Sequence, residues 1–247
     1  MWFNFYNQEG RKPVRLFTFA HSGAGSMTFE PWTSKMEDVE IVGVRLPGRE
    51  NRMHEKPIND LGYLVNVLTD EIEPYLDQPF CFFGHSFGAL LAFELTKSIK
   101  AQFDIQPDKL FVSSFRAPFL PNIYTPISSL SDDEIRDSMK RYNGIPKQVY
   151  DNEELLRHYI PSIRADFSMH ETYQSKLEKV IDCPIVAMVG SEDQAVAVEH
   201  VKGWEAMTSS DSCELKIFKG DHFYIKSSFQ ELTAAVQDTI FEEQLHS

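Results

Sequence analysis

One serine in this chain stands where its hydroxyl can be made to attack a carbonyl. Residues 80–92 read Phe-Cys-Phe-Phe-Gly-His-Ser-Phe-Gly-Ala-Leu-Leu-Ala, an apolar strand that breaks at Gly84 and resumes as a helix just after Ser86. Gly84-His85-Ser86-Phe87-Gly88 is thus a G-x-S-x-G nucleophile elbow. Small residues at both ends let strand and helix pack closely and leave the serine strained, with its hydroxyl exposed. Five residues with three fixed are a short pattern; a strand before it and a helix after it are the context that confirms it.

A serine hydroxyl is a poor nucleophile near neutral pH, so the chemistry requires a base within hydrogen-bond reach and a third group that orients the base. Where a serine occupies such a turn, the chain order is serine, acid, histidine. Downstream of Ser86 stand His158, His170, His200, His222 and His246. His158 and His170 fall in helical patterns far from any strand end, His200 opens another helical pattern, and His246 lies in the tail. His222 follows the last strand in Lys219-Gly220-Asp221-His222-Phe223, a loop able to carry an imidazole over the carboxyl edge of a sheet. Asp193, just past the apolar run Ile185 to Val189, reaches the same edge and is the expected acid. Its competitors are Glu192, one residue away, and Asp221, whose side chain would diverge from that of its neighbour His222. His85, inside the elbow, reads as a packing residue.

A tetrahedral intermediate also needs backbone donors for its oxyanion. The Phe87 N–H, directly after the serine, is the first. The second is expected from the glycine-rich loop after the first long strand, Ala20-His21-Ser22-Gly23-Ala24-Gly25, with Ser22 as the donor. Gly23-Ala24-Gly25 begins like a dinucleotide fingerprint, but Thr28 occupies the third glycine position and no acid ends the next strand as required, so no nucleotide cofactor is expected. No H-E-x-x-H or other metal-ligand spacing is present, and no metal is expected.

Strand-length apolar runs alternate with helix-period segments, the βαβα pattern of a mostly parallel sheet covered on both faces. Strands are expected over 14–20, 39–44, 80–84, 109–114, 184–190 and 213–218, and helices over 60–75, 89–99, 198–207 and 229–241. Between 114 and 184 the alternation fails for about seventy residues, too many for a simple loop. Ser131 and Glu134 form a capping box flanked by Leu130 and Ile135 as a staple, starting a helix through Met139 and Tyr142. Asp151 and Glu154 repeat the pattern before Leu155, Leu156, Tyr159 and Ile160, and Pro161 is expected to restart the chain into a third helix through Arg164 and Phe167. The expectation is one domain over 1–247, with 115–183 an inserted helical lid.

The chain has 247 residues and a formal charge of −13, which argues against nucleic acid, because phosphate neutralisation needs a concentrated basic face. The three cysteines, Cys81, Cys183 and Cys213, are widely spaced and suit reduced thiols of a cytoplasmic protein. No stretch approaches the roughly 18 apolar residues of a membrane span, and the start lacks a signal-peptide pattern, so a soluble protein without membrane contact is expected.

With these residues in view, the chain resembles the type II thioesterases that accompany nonribosomal peptide and polyketide synthetases. The likeness rests on Leu16-Phe17 through Gly25 before Phe29 and Trp32, Leu46-Pro47-Gly48-Arg49-Glu50-Asn51-Arg52, Gly84 to Gly88, Leu130 to Asp133, Pro161-Ser162-Ile163-Arg164-Ala165-Asp166-Phe167-Ser168, and Gly220 to Phe223. It departs at Ala20-His21-Ser22-Gly23-Ala24, where the family usually has Pro-x-Ala-Gly-Gly. The resemblance implies an α/β-hydrolase fold, a monomer, and an editing activity that hydrolyses acyl thioesters on the phosphopantetheine arms of acyl or peptidyl carrier domains. Under it, Arg49 and Arg52 either meet the arm's phosphate or tie down their loop through Glu50, the favoured role, and Lys140, Arg141 and Lys147 are candidates for an acidic carrier surface. The alternatives are a carboxylesterase or lipase acting on oxygen esters, and a carrier-binding protein without catalysis.

Overall fold

In the computed structural model, residues 1–123, 126–141, 147–178 and 180–242 are described. Strands β1 (Phe3–Phe5), β2 (Val14–Phe19), β3 (Val39–Val44), β4 (Phe80–His85), β5 (Lys109–Ser113), β6 (Ile185–Gly190) and β7 (Cys213–Phe218) form one sheet in the order β1-β3-β2-β4-β5-β6-β7. Every neighbouring pair is parallel except β1 and β3, where Phe3 lies opposite Val44. β1 is an addition to the strands read from the sequence. At three residues it is too short for alternation to reveal it, and only the partner strand defines it. Strand order reverses beside β2, which pairs β3 on one side and β4 on the other. The loops leaving β2 and β4 therefore diverge at the carboxyl edge and open a crevice there.

The helices are α1 (Leu61–Ile72), α2 (Phe87–Phe103), α3 (Asp132–Arg141), α4 (Lys147–Tyr150), α5 (Glu153–Glu171), α6 (Val198–Lys202), α7 (Tyr224–Ser227) and α8 (Phe229–Phe241). Period-two alternation in the strands divides the core between the faces of the sheet. Phe17, Phe19, Phe80 and Phe82 pack with Leu64 and Leu68 of α1 and Leu90 and Leu95 of α2. Leu16, Cys81, Phe83 and Phe111 face the other way, onto Leu232, Val236 and Ile240 of α8. A turn of 3-10 helix over Ser26–Ser34, not anticipated from periodicity, brings Phe29 and Trp32 edge-on to Phe83. All three cysteines are free. Burial pushes the Cys183 thiol up to about 12 and the Cys213 thiol to about 11, so neither supplies a thiolate near neutral pH.

Between β5 and β6 the chain builds a helical segment with its own small core of Ile135, Met139, Val149, Leu156, Ile160 and Ile163. The capping box forms as expected. The Ser131 N–H and Oγ–H both donate to Glu134 Oε2, at 2.8 and 2.7 Å. Tyr142 lies outside the described residues. Two expectations fail here. Asn152, not Asp151, caps α5, accepting from the N–H groups of Glu154 and Leu155. And Pro161 does not restart the chain, since α5 runs unbroken from Glu153 to Glu171. A mid-helix proline costs about 3 kcal/mol, whereas burying the flanking Ile160 and Ile163 contributes roughly 1.5–3 kcal/mol each, enough to carry the helix through. Lys140 is exposed, with its ammonium 4.6 Å from the Tyr150 ring centroid; the side chains of Arg141 and Lys147 are outside the description. Among the described residues no helix is long and apolar enough to cross a membrane.

The contact that seats α2 on the sheet is backbone to backbone. A Cβ on Gly88 would stand 2.0 Å from the Phe19 carbonyl oxygen, and one on Gly84 would stand 2.2 Å from that of Gly88. Because backbone cannot swing aside as a side-chain tip can, Gly88→Ala is expected to lower stability by at least about 2 kcal/mol. Urea unfolding checks this, and a midpoint like that of the unaltered protein would contradict the packing described.

Candidate active site

Ser86 follows β4 with φ 55° and ψ −123°, a positive-φ conformation held by the two glycine contacts and by donation of its N–H to the Ser113 carbonyl at 2.7 Å. Helix α2 starts at the next residue, so the side chain projects at the crevice where β2 and β4 part.

His222 lies in the loop after β7 and Asp193 in the loop after β6. His222 Nε2 is 3.1 Å from Ser86 Oγ, and His222 Nδ1 is 2.9 Å from Asp193 Oδ2. The second carboxylate oxygen of Asp193 accepts the N–H groups of Ala195 and Val196 at 2.8 and 3.0 Å. Burial pushes the Asp193 carboxyl up, but the hydrogen bond and nearby charge of His222, with the Ala195 amide, outweigh it and leave the group below its ordinary value. The competitors are spent elsewhere. Asp221 accepts the Phe223 N–H at 2.8 Å, folded back on its own loop, and the Glu192 side chain faces solvent. The two loops are themselves joined, since the N–H groups of Ser191 and Glu192 donate to the Phe218 and Gly220 carbonyls. Gly190 makes that approach possible: a Cβ there would stand 2.4 Å from the Asp221 carbonyl oxygen.

His85 is a fully buried packing residue, as its position suggested. Its Nδ1 is 2.8 Å from Ser113 Oγ, which in turn meets the Tyr224 hydroxyl at 2.6 Å. Its ring centroid lies 5.2 Å from that of His222. Burial, reinforced by the His222 and His21 imidazoles, drives its pKa well below 6.5. Ser86 and His222 open onto a cavity of about 140 Å³ walled by Phe115, Phe167, His170 and Val196, with Ser22 on its rim. A larger cavity of about 630 Å³ shares His21 and Ser22 with it and reaches His158. His200 lines the smaller cavity, and His246 is outside the described residues.

This geometry has relatives. The model of the thioesterase domain family matches residues 14–240. The chain belongs to the thioesterase family. Gramicidin S biosynthesis protein GrsT of Aneurinibacillus migulanus is 33% identical to this thioesterase over 232 residues, spanning 94% of this chain and 90% of GrsT. A Brevibacillus parabrevis protein named linear gramicidin dehydrogenase LgrE is 35% identical over 231 residues, covering 92% of this chain and 88% of its own length. Among solved structures, the type II thioesterase BorB of the borrelidin biosynthetic cluster superimposes with a TM-score of 0.89 at 29% identity, over 97% of both chains. Its neighbours are α/β-hydrolase-type enzymes, and the thioesterase has that fold.

In this thioesterase the loop over the serine is tied from two directions that spacing did not reveal. Arg49 does not act through Glu50. It forms a bidentate pair with Asp166 of α5, at 2.8 and 2.9 Å, and both side chains are buried. Glu50 instead accepts the Ser26 hydroxyl and the Met27 N–H. Arg52 pairs with Glu55 and lies over the Trp2 ring, so both arginines of this run hold the protein's own structure. His170, which in sequence is only part of a helical pattern, touches the site. Its Nε2 is 3.4 Å from Ser22 Oγ, and its ring packs on Phe87, Phe115 and Phe167. Its signal in sequence was position alone, four residues beyond Asp166 on one helix face.

Burial, with the Arg116 and His222 charges adding to it, lowers the His170 pKa to about 3. An imidazole whose folded pKa is depressed takes its proton more readily in the unfolded chain. His85 and His170 therefore contribute fully above pH 6.5, and their contribution is lost as pH falls below that toward the folded values. The limiting slope is about 1.4 kcal/mol per pH unit for each group. Urea unfolding is expected to show stability dropping between pH 7 and 5, with a shallower drop in His170→Gln. An unchanged slope in that variant would show that His170 is not the group responsible.

Proposed function

We infer that this thioesterase hydrolyses acyl thioesters carried on phosphopantetheine arms of carrier domains in nonribosomal peptide or polyketide synthesis, through an acyl intermediate on Ser86. The observation that carries the reading is the continuous line from Ser86 Oγ to His222 Nε2 and from His222 Nδ1 to Asp193, opening on an apolar cavity. In the first half-reaction His222 Nε2 takes the Ser86 proton as Oγ attacks the thioester carbonyl. The Phe87 and Ser22 N–H groups stabilise the resulting oxyanion, and the carbon–sulfur bond breaks as His222 returns the proton to the departing thiol. Water, deprotonated by the same imidazole, then cleaves the acyl-serine ester and frees the carboxylic acid and the serine. Asp193 accepts the Nδ1 hydrogen throughout, fixing the productive tautomer and stabilising the imidazolium. Helices α3 to α5 act as a lid over this chamber.

A thiol leaves more readily than an amine, so the acid step is undemanding, and oxygen esters differ by less. Substrate class therefore rests on the relatives: GrsT is named for gramicidin S biosynthesis, and BorB is a type II thioesterase of the borrelidin biosynthetic cluster. The dehydrogenase name of LgrE invites a nucleotide reading, which the loop here disfavours. The space a pyrophosphate would need beside Gly23 is taken by Ile163, and that beside Gly25 by the Glu50 carboxylate.

Ser86→Ala is expected to lower acyl release from a loaded carrier domain by at least about a thousandfold, followed by mass spectrometry of the arm. Release at the unaltered rate would remove the serine from the mechanism. In the same assay the unaltered enzyme is expected to turn over acyl carriers far faster than a simple oxygen ester of the same acyl group. The reverse preference would favour a carboxylesterase.

A further inference from the structure

Helix α5 touches the loop of the second oxyanion donor with two side chains one turn apart. Asp166, fully buried, accepts the Gly23 N–H through Oδ2 at 2.7 Å, and His170 meets Ser22 Oγ. The loop has little freedom to move away. Gly23 has a φ of +78°, and a Cβ there would stand 2.4 Å from Ile163 Cγ1, so α5 lies directly against it. The Ala24 N–H closes a turn on the His21 carbonyl, and the Ala24 carbonyl accepts from Arg49 Nη1 at 3.1 Å.

We propose that Asp166 is a positioning residue that aims the Ser22 amide at the oxyanion, so that the oxyanion hole is complete only while α5 is seated on the Ser22–Gly25 loop. This rests on the hydrolytic reading above. Holding the Gly23 N–H fixes the plane of the Ser22–Gly23 peptide, and the Ala24 N–H on the His21 carbonyl holds the adjoining His21–Ser22 plane that carries the Ser22 N–H, so the two planes that meet at Ser22 are set together. A charged acceptor holds that plane more firmly than a neutral one. A bare carboxylate so near a developing oxyanion would oppose it, and the bidentate Arg49 cancels that charge. The carboxylate thus orients the donor without repelling what the donor must stabilise.

The alternative is that Asp166 merely anchors the helix, and two inhibitors separate the cases. An acyl trifluoromethyl ketone forms a tetrahedral adduct with the serine and uses the oxyanion hole; the matching thioether binds without a tetrahedral centre. Asp166→Asn is expected to lower kcat about ten- to a hundredfold with KM nearly unchanged, and to weaken the ketone by the same factor while the thioether shifts by less than about twofold. Arg164→Ala serves as the anchoring control. Arg164 donates to the carbonyls of Ser128 and Leu130 without touching the loop, so this variant is expected to lower the thermal midpoint and leave the ketone-to-thioether ratio unchanged. A folded Asp166→Asn that keeps its kcat, or that loses both inhibitors equally, overturns the proposal. Should that variant not fold, Arg49→Lys keeps the charge pair but loses the fork, and the same ratio is read; no change in it is equally fatal. Failure of the underlying reading looks different, because the unaltered enzyme would then bind ketone and thioether alike.

Discussion

The close approach of α2 to the sheet, backbone against backbone at Gly84 and Gly88, is the constraint from which the site follows. It forces Ser86 into a positive-φ conformation that a non-glycine residue adopts only under compulsion, at a cost of order 1 kcal/mol or more. The two-faced aromatic core carries that cost. The same strand alternation that sends Phe82 toward α2 and Phe83 toward Trp32 holds β4 rigidly between its neighbours, so the turn at its end cannot relax.

Beneath the site three buried polar side chains are linked to one another. His85, Ser113 and Tyr224 form a short hydrogen-bonded chain joining β4, β5 and α7, and burial keeps that imidazole uncharged close behind His222. A charged ring there would oppose the imidazolium that the proposed mechanism creates at His222. The pair formed by Arg49 and Asp166 is a different device. Removing one partner of such a buried pair commonly costs 3–5 kcal/mol, while replacing both with apolar groups is often neutral. It joins the Arg49 loop to α5.

Much of this was legible in the sequence for reasons that can be named. Buried parallel strands are largely apolar runs, so β2 to β6 stand out, and the edge strand β7 shows as an alternation of apolar and charged residues; the elbow declares itself through glycines that have a steric job; and strand ends and chain order single out Asp193 and His222. What escaped depends on partners distant in the chain. Three residues of β1 become a strand only because β3 accepts them. Pro161 reads as a break because local propensity does not contain the core on which Ile160 and Ile163 close. Spacing offers Arg49 its neighbour Glu50, whereas its partner stands 117 residues away on another element. Charge spacing cannot reveal a pairing that only the packing of α5 brings about.

The joined corner at Gly190 and Gly220 has a mechanical consequence. Because the backbone of the acid's loop is hydrogen-bonded to that of the histidine's, carboxylate and imidazole are carried on one cross-linked corner. The serine arrives on a different strand, from the far side of β5. The spacing of carboxylate and imidazole is therefore set within one corner of the fold, whereas the gap between hydroxyl and ring is set across the sheet.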